Sequence, residues 1–149
     1  MRLRLRRIRI ARRVESVVNA VASEETPQIE INIPSSLKAT LDPDVFDRIV
    51  ANLISNAVKY GEPPFTISAE PTSQDVRISF RDHGRGISAQ FAPSLFERFT
   101  RSEASRQEAD GAGVGLALSR LYARAHGGDV VHDPTTGPGA CFTVVLPAP

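Results

Sequence analysis

The stretch Asn52-Leu53-Ile54-Ser55-Asn56-Ala57-Val58-Lys59-Tyr60 belongs to the longest helical pattern in the chain, and this pattern decides the predicted fold. It begins at Asp42-Pro43-Asp44, where an aspartate can cap free N–H groups and proline suits the first helical position. Apolar side chains then recur at helical spacing from Phe46 to Val58. Gly61 follows at the position where glycine commonly ends a helix. The sequence therefore predicts an amphipathic helix from about residue 43 to residue 60.

The polar stripe of this helix carries two asparagines one turn apart, Asn52 and Asn56, with Lys59 one turn further on. Asparagine is a poor helix former, so two of them on one face are unusual for a merely solvated surface. An amide carbonyl is a hard, neutral oxygen ligand suited to Mg²⁺, and a lysine can face phosphates as a point charge. Taken alone, the stripe still fits an ordinary polar surface better than a site.

Two glycine-rich loops follow the helix, and both suggest a nucleotide. Asp82-His83-Gly84-Arg85-Gly86 comes directly after the strand pattern Val76–Arg81. Its aspartate can accept a hydrogen bond from an exocyclic amine such as that of adenine, and its glycines let a ligand approach the backbone. Taken alone, this loop fits a common Asp/Gly turn equally well.

The second loop, Gly111-Ala112-Gly113-Val114-Gly115, opens a helix predicted over Leu116–Ala125, where free N–H groups favour phosphate. The loop is neither a dinucleotide fingerprint, which would need glycine at position 116, nor a P-loop, which would need a following Gly-Lys-Ser/Thr. A glycine-rich hinge without a ligand is the alternative.

The remaining periodicities predict an α+β fold with a mixed, mostly antiparallel sheet. A hairpin is predicted from Phe65–Ala69 to Val76–Phe80, because a turn-forming segment separates two alternating runs. A helix is predicted from Val14 to Ala22. The other predicted elements are strands near 3–10, 29–33, 37–41, 130–131 and 141–146, a short helix over 91–99 and a polar loop over 100–110.

The charged residues are unevenly distributed along the chain: a basic segment at its start precedes a body with more acidic than basic residues. Seven arginines and no acid lie in the first thirteen residues, although the net charge of all 149 residues is only +1. Such a segment can bind nucleic acid, anionic lipid or an acidic partner. We favour the alternative, in which it leads into the body and its leucines and isoleucines pack there.

No apolar run reaches the ~20 residues of a membrane span. The single Cys141 lies in an apolar run and is read as a packing residue.

The order of motifs resembles that of the ATP-binding catalytic domain of sensor histidine kinases, a family in the wider ATPase group that includes DNA gyrase, a heat-shock chaperone and mismatch-repair proteins. The resemblance covers about residues 13–147. It rests on segments similar to the N box at 52–60, the G1 box at 82–87, the F box at 95–101 and the G2 box at 111–118, with His126-Gly127-Gly128 and the closing run 139–147.

The resemblance implies a Bergerat-type two-layer α/β sandwich in which about three helices cover one face of the sheet. It divides the chain into a basic segment, residues 1–13, and an ATP-binding catalytic domain, residues 14–149. The implied ligands are ATP and Mg²⁺. The resemblance also implies an ATP lid over Thr100–Asp110, anchored by Phe96 and Phe99.

By the same resemblance, Asn56 would ligate Mg²⁺, while Asn52, Lys59 and Arg101 would serve the metal and phosphates as the catalytic set. Tyr60 would lie against adenine and Asp82 would accept from its amine. The implied ATP-binding set also includes residues that shape the base pocket or wrap the phosphates: Gly84, Gly86, Ile87, Gly111, Gly113, Val114, Gly115 and Leu116.

The chain departs from a complete kinase because its histidines, His83, His126 and His132, do not stand in a phosphoacceptor's helical context. We therefore expect phosphoryl transfer to a histidine on a helical hairpin supplied by another segment or chain, and little autophosphorylation without it. A response regulator would act downstream in the cytoplasm. Nucleic acid is not an expected partner, and a membrane is one only through a longer parent or weakly through the basic segment.

Two other functions fit the same sequence: an anti-sigma-type serine protein kinase and a non-catalytic ATP-binding interaction module. A full F box and a long lid favour the histidine kinase domain. We also expect Arg2–Arg13 to be dispensable for nucleotide binding.

Overall fold

The fold is seen in a computed structural model that describes residues 2–21, 29–84, 96, 112–133 and 139–147. The elements within these residues are, in chain order, β1 (Arg6–Arg9), α1 (Ile10–Val21), β2 (Ile29–Asn32), β3 (Lys38–Leu41), α2 (Pro43–Tyr60), β4 (Phe65–Pro71), β5 (Asp75–Arg81), α3 (Ala112–Ala125), β6 (Asp129–His132) and β7 (Cys141–Pro147). The predicted helix over 91–99 and loop over 100–110 lie outside the described residues, apart from Phe96.

The main sheet has five strands in the order β2-β4-β5-β7-β6. Strands β2 and β4 are parallel, with Ile29 opposite Phe65, and the other neighbours are antiparallel. The predicted hairpin is confirmed as β4 and β5, whose turn is held by the Thr72 hydroxyl donating to the Asp75 carboxylate at 2.7 Å. The predicted mixed, mostly antiparallel sheet is therefore confirmed.

One face of the sheet is buried beneath the helices, and this accounts for the alternation in the strands. Ile67, Ile78 and Val144 point into the core, and α2 meets them with its buried apolar stripe, which includes Phe46 and Leu53. Each large apolar side chain buried there contributes about 1.5–3 kcal/mol by leaving water. The predicted two-layer sandwich, with three helices among the described residues, is confirmed.

Helix α2 begins and ends where the sequence predicts, but the glycine that follows it is needed for a reason other than a left-handed backbone conformation. Asp42 is the N-cap and accepts from the backbone N–H groups of Asp44 and Val45, and Pro43 is the first helical residue. Gly61 follows Tyr60, yet its φ of −100° is extended rather than left-handed. Any residue could adopt that conformation, so the requirement for glycine here comes from close packing.

The arginine-rich segment is folded onto the body. Strand β1 pairs antiparallel with β3, with Ile8 opposite Ala39. Helix α1 begins at Ile10, four residues before the predicted start at Val14, so it crosses residue 13, and the fully buried Ile10 and Val14 lie on its apolar face. The isoleucines pack as expected, whereas Leu5 is 56% exposed.

Two polar contacts attach this segment to the start of α2. The Arg4 backbone N–H donates to Asp42 Oδ2 at 2.9 Å. Arg13 makes a two-pronged pair with Asp47, with both N···O distances 2.7 Å. Among the described residues, no helix is both long and apolar enough to cross a membrane.

Candidate functional site

Asp82 lies at the end of β5 and is held in a fixed orientation by backbone donors. Its Oδ1 accepts from the N–H groups of Gly84 at 2.8 Å and Ala140 at 3.3 Å, and its own N–H donates to the Ala140 carbonyl. The residue is only 6% exposed. No donor among the described residues reaches its Oδ2, which leaves that oxygen free to accept from a ligand.

Three glycines make room for Asp82. A side chain at Gly61 would place its Cβ 2.6 Å from Asp82 Oδ2, so the end of α2 touches the carboxylate. A Cβ at Gly84 would lie 3.2 Å from Oδ1. Gly139 has φ +88°, and its Cβ would lie 2.6 Å from the Asp82 carbonyl carbon. Of these three glycines, only Gly84 was predicted to belong to the base pocket, because neither Gly61 nor Gly139 is close to Asp82 along the chain.

His83 joins the base loop to the chain that follows α2. Its backbone N–H donates to the Glu62 carbonyl at 2.8 Å, and its Nδ1 lies 2.7 Å from the Pro64 carbonyl oxygen. Because a carbonyl only accepts, Nδ1 must carry the proton. These two bonds keep the turn after Gly61 against the loop, and so keep the end of α2 beside Asp82.

At its middle, α2 contacts the start of α3 through Asn52. The Asn52 amide Nδ2 donates to the Gly115 carbonyl at 3.4 Å and to the Ser119 hydroxyl at 3.3 Å. A Cβ at Gly115 would lie 3.7 Å from Asn52 Cγ, an ordinary contact, so the helices approach closely without requiring glycine there. Ser119 is fully buried, and it was not predicted as a site residue because a single serine in a helix gives no pattern.

Helix α3 begins at Ala112, earlier than predicted, so Gly113 and Gly115 lie in its first turns rather than before it. The first four N–H groups of a helix have no partner within the helix and can face an anion. Leu116 is 3% exposed and packs in the core. The predicted residues Gly86, Ile87, Arg101 and Gly111 lie outside the described residues, as does the side chain of Val114.

The second half of α2 therefore adjoins both glycine-rich regions. Along the helix axis, at 1.5 Å per residue, Asn56 lies about 8 Å from Gly61 and Asn52 lies about 13 Å from Gly61. Asn56 is half-buried, Lys59 is exposed and Tyr60 is 40% exposed. Asp82, at Gly61, and Gly115, at Asn52, thus lie against the same half-helix that carries Asn56.

The three histidines occupy structural positions. His126 Nε2 accepts from the Asp42 backbone N–H at 3.0 Å, so its Nδ1 donates to the Tyr122 carbonyl at 2.8 Å. His132 lies beside Phe142 with ring centroids 5.4 Å apart, and burial lowers its pKa, although Asp133 opposes the shift. These contacts, with the His83 bond described above, give each ring a place within the fold.

Phe96, one of the two predicted anchors of a lid, packs against β7 and α3, whereas Phe99 and the predicted lid over 100–110 lie outside the described residues. Its ring meets Phe142 edge-on at 6.2 Å, and the Arg120 guanidinium lies 4.5 Å above the Phe96 ring. Arg120 also donates to Asp129 at 2.9 Å. Burial raises the pKa of Asp129, but hydrogen bonds from Arg120, Val130 and Arg124 outweigh it, so the net pKa is lowered.

The residues present suit a magnesium ion that shares its ligands with a nucleotide. Among the described residues, no three His, Cys, Asp or Glu side chains come together as a metal site. A magnesium ion bound through an amide oxygen, phosphates and water does not need such a cluster. The half-buried Asn56 and the free Oδ1 of Asn52 are neutral oxygen donors of that kind.

Comparison with known proteins identifies the family. The sequence model described as "Histidine kinase-, DNA gyrase B-, and HSP90-like ATPase" matches residues 41–149. The chain belongs to this ATPase family. Within it, the similar proteins are sensor histidine kinases, and the chain corresponds to their catalytic ATP-binding domain.

Three similar proteins illustrate the extent of the match. The signal transduction histidine-protein kinase AfsQ2 of Streptomyces coelicolor is 36% identical over 119 residues, covering 80% of this chain and 22% of that protein. The sensor histidine kinase component HK1 of Mycobacterium tuberculosis is 34% identical over 113 residues, covering 76% of this chain and 67% of that protein. The solved structure of full-length ShkA in complex with AMPPNP matches with a TM-score of 0.78 and 27% identity, over 99% of this chain and 32% of that one. The chain thus spans about a fifth of the AfsQ2 length.

Proposed function

We propose that this chain binds Mg²⁺-ATP and donates the γ-phosphate to a histidine on a helical hairpin supplied by another segment or chain. The observation that carries the proposal is the convergence on α2: Asp82 lies against Gly61 at its end, and Gly115 lies against Asn52 at its middle. This half-helix joins an acceptor suited to adenine with a helix start suited to phosphate.

Two acceptor atoms that remain free, Asp82 Oδ2 and Asn52 Oδ1, support the proposed roles of their residues, and the roles of the other residues follow the family resemblance. Asp82 Oδ2 would accept from the adenine amine, and Tyr60 would lie along the base. Asn56 would ligate Mg²⁺ through its neutral oxygen, Asn52 would support the metal and phosphates, and Lys59 and Arg101 would offset phosphate charge. Gly84, Gly86 and Ile87 would shape the base pocket; Gly111, Gly113, Val114, Gly115 and Leu116 would form the phosphate side.

Phosphoryl transfer requires little covalent chemistry from the protein, so positioning and charge neutralisation would supply most of the rate enhancement. Mg²⁺, when bound, would supply positive charge beside the phosphates. The acceptor nitrogen would come from the hairpin histidine, because the rings of His83, His126 and His132 serve the fold. A response regulator would then take the phosphoryl group, and the reaction would occur in the cytoplasm.

The test mixes the full chain with γ-labelled ATP, Mg²⁺ and a phosphoacceptor hairpin from a related sensor kinase. Acid-labile label on the hairpin is expected. The same hairpin with its histidine replaced by glutamine is the matched control and should stay unlabelled. Acid-stable label on a partner's serine would favour an anti-sigma-type kinase, and ATP binding with no transfer would favour a non-catalytic module.

A further inference from the structure

The side chain of Asn52 has both of its amide hydrogens assigned within the fold. Its Nδ2 lies 3.4 Å from the Gly115 carbonyl oxygen and 3.3 Å from the Ser119 hydroxyl. An amide nitrogen has two hydrogens, so each acceptor takes one. The Gly115 carbonyl can only accept, which determines which end of the amide faces α3. Oδ1 is then the only group of this amide left to meet a ligand.

Ser119 is the second acceptor, and its position is unusual for a serine. The residue is fully buried in the contact between α2 and α3. Burying a hydroxyl is unfavourable unless it is hydrogen-bonded. Among the described residues, the buried side-chain polar atom without a hydrogen-bond partner is Arg81 Nε. The Ser119 hydroxyl is therefore hydrogen-bonded where it lies. Its partner in α2 is Asn52.

We propose that Ser119 is a positioning residue for Asn52. Its hydroxyl and the Gly115 carbonyl hold the amide so that Oδ1 is presented to the metal and phosphates. The inference rests on the proposed function, because it assigns a use to the free Oδ1. Without the serine, the Gly115 carbonyl would still bias the amide, but one hydrogen would lack a partner and the side chain would turn more freely.

The experiment measures ATP affinity of the full chain by calorimetry, once with Mg²⁺ and once with a chelator. In Ser119→Ala, the gain in affinity that Mg²⁺ provides should fall about three- to tenfold, the range expected for one neutral hydrogen bond. Affinity in chelator should stay within about twofold, since the hydroxyl acts through Asn52. Ser119→Cys preserves the volume and weakens the acceptor, so it should behave in the same way.

The control is Ser79→Ala, which removes a hydroxyl bonded to Thr143 at 3.1 Å in the sheet and should leave the Mg²⁺ gain unchanged. Equal losses with Mg²⁺ and with chelator would indicate a merely structural serine and would overturn the inference. An unchanged Mg²⁺ gain in both folded Ser119 variants would also overturn it.

A second readout needs no nucleotide. In the unmodified chain, the two Asn52 side-chain N–H protons should give distinct NMR shifts, and Ser119→Ala should move one of them upfield. An unmoved pair of resonances would reject the hydrogen bond itself. If the NMR shift appears but the unmodified chain binds no ATP, the hydrogen bond between Asn52 and Ser119 is supported, while the proposed function and the use of Oδ1 both fail.

Discussion

The polar groups around the amino end of α2 and those around its second half are used in opposite ways. At the amino end, Asp42 Oδ1 accepts from Asp44 and Val45, its Oδ2 accepts from Arg4, and its N–H donates to His126. From its middle to its carboxyl end, α2 instead adjoins two acceptors, its own Asn52 Oδ1 and the Asp82 Oδ2 that follows β5, and neither receives a donor among the described residues. The amino end therefore uses its hydrogen bonds to join three parts of the chain, whereas the second half of α2 lies beside acceptors that remain available to a ligand. This contrast separates residues expected to stabilise the fold from residues expected to bind.

The largest effect should come from Asp82→Asn. The amide can keep its oxygen toward Gly84 and Ala140 and so preserve the fold, but it then presents NH₂ where a ligand amine would donate. ATP affinity should fall at least about a hundredfold, since a charged hydrogen bond is replaced by two opposed donors. Calorimetry measures the affinity and urea unfolding measures the stability. Unchanged affinity would refute the assignment of Asp82.

A smaller loss, affecting both stability and binding, is expected from Gly61→Ala. The new Cβ would lie 2.6 Å from Asp82 Oδ2, so the carboxylate or the helix end must move. Unfolding free energy should fall by about 2 kcal/mol and ATP affinity by about tenfold. Gly115→Ala is the matched control for stability, because its Cβ would make an ordinary 3.7 Å contact, and alanine is the better helix former. Equal destabilisation by the two substitutions would contradict this account of Gly61.

Asp42→Ala should have the reverse profile, with stability lost and binding retained. Removing the cap and the Arg4 bond should lower the unfolding free energy by about 1–2 kcal/mol. ATP affinity should change less than about threefold, because the acceptors at the other end of α2 are untouched. Asp44→Ala removes the same charge from an exposed side chain in the same turn and should cost far less. A large affinity loss in Asp42→Ala would abolish the distinction between the two ends.

The smallest effect is expected in acid. The Arg4 N–H lowers the pKa of Asp42 below its usual 3.8, and the N–H groups of Val45 and Asp44 add to this against the opposing effect of burial. A carboxylate with a lowered folded-state pKa stabilises the fold above pH 3.8, and that stability is lost as pH falls through the folded pKa. Urea unfolding between pH 5 and pH 3 should therefore show a steeper loss in the unmodified chain than in Asp42→Asn. Identical slopes would show that Asp42 does not titrate differently in the folded state.

Local patterns in the sequence were sufficient for α2, for the β4–β5 hairpin and for the final strands. The early start of α3 was missed because Gly113 and Gly115 disfavour a helix in isolation, and tertiary contacts such as that between Gly115 and Asn52 are not visible in the local sequence. The start of α1 at Ile10 was missed because arginines break the alternation before it. The Asp42–His126 bond joins residues 84 positions apart, and no periodicity reports such a contact. Asn52 and Asp82 were singled out by the polar stripe of the helix and by the glycine loop after a strand, and the family resemblance then implied their roles, whereas the contributions of Gly61, Gly139 and Ser119 to the site required the three-dimensional contacts.

The arginine-rich segment has a practical consequence for shortening this protein. Trimming residues 2–13 would remove charge, but it would also strip the fully buried Ile10 and the Arg13–Asp47 pair. The expectation that this segment is dispensable therefore has to be tested by substitution rather than by truncation. Replacing the exposed Arg2, Arg7 and Arg9 with glutamine would isolate the charge, and a recombinant version begun downstream of Arg4 would leave Asp42 Oδ2 without its donor.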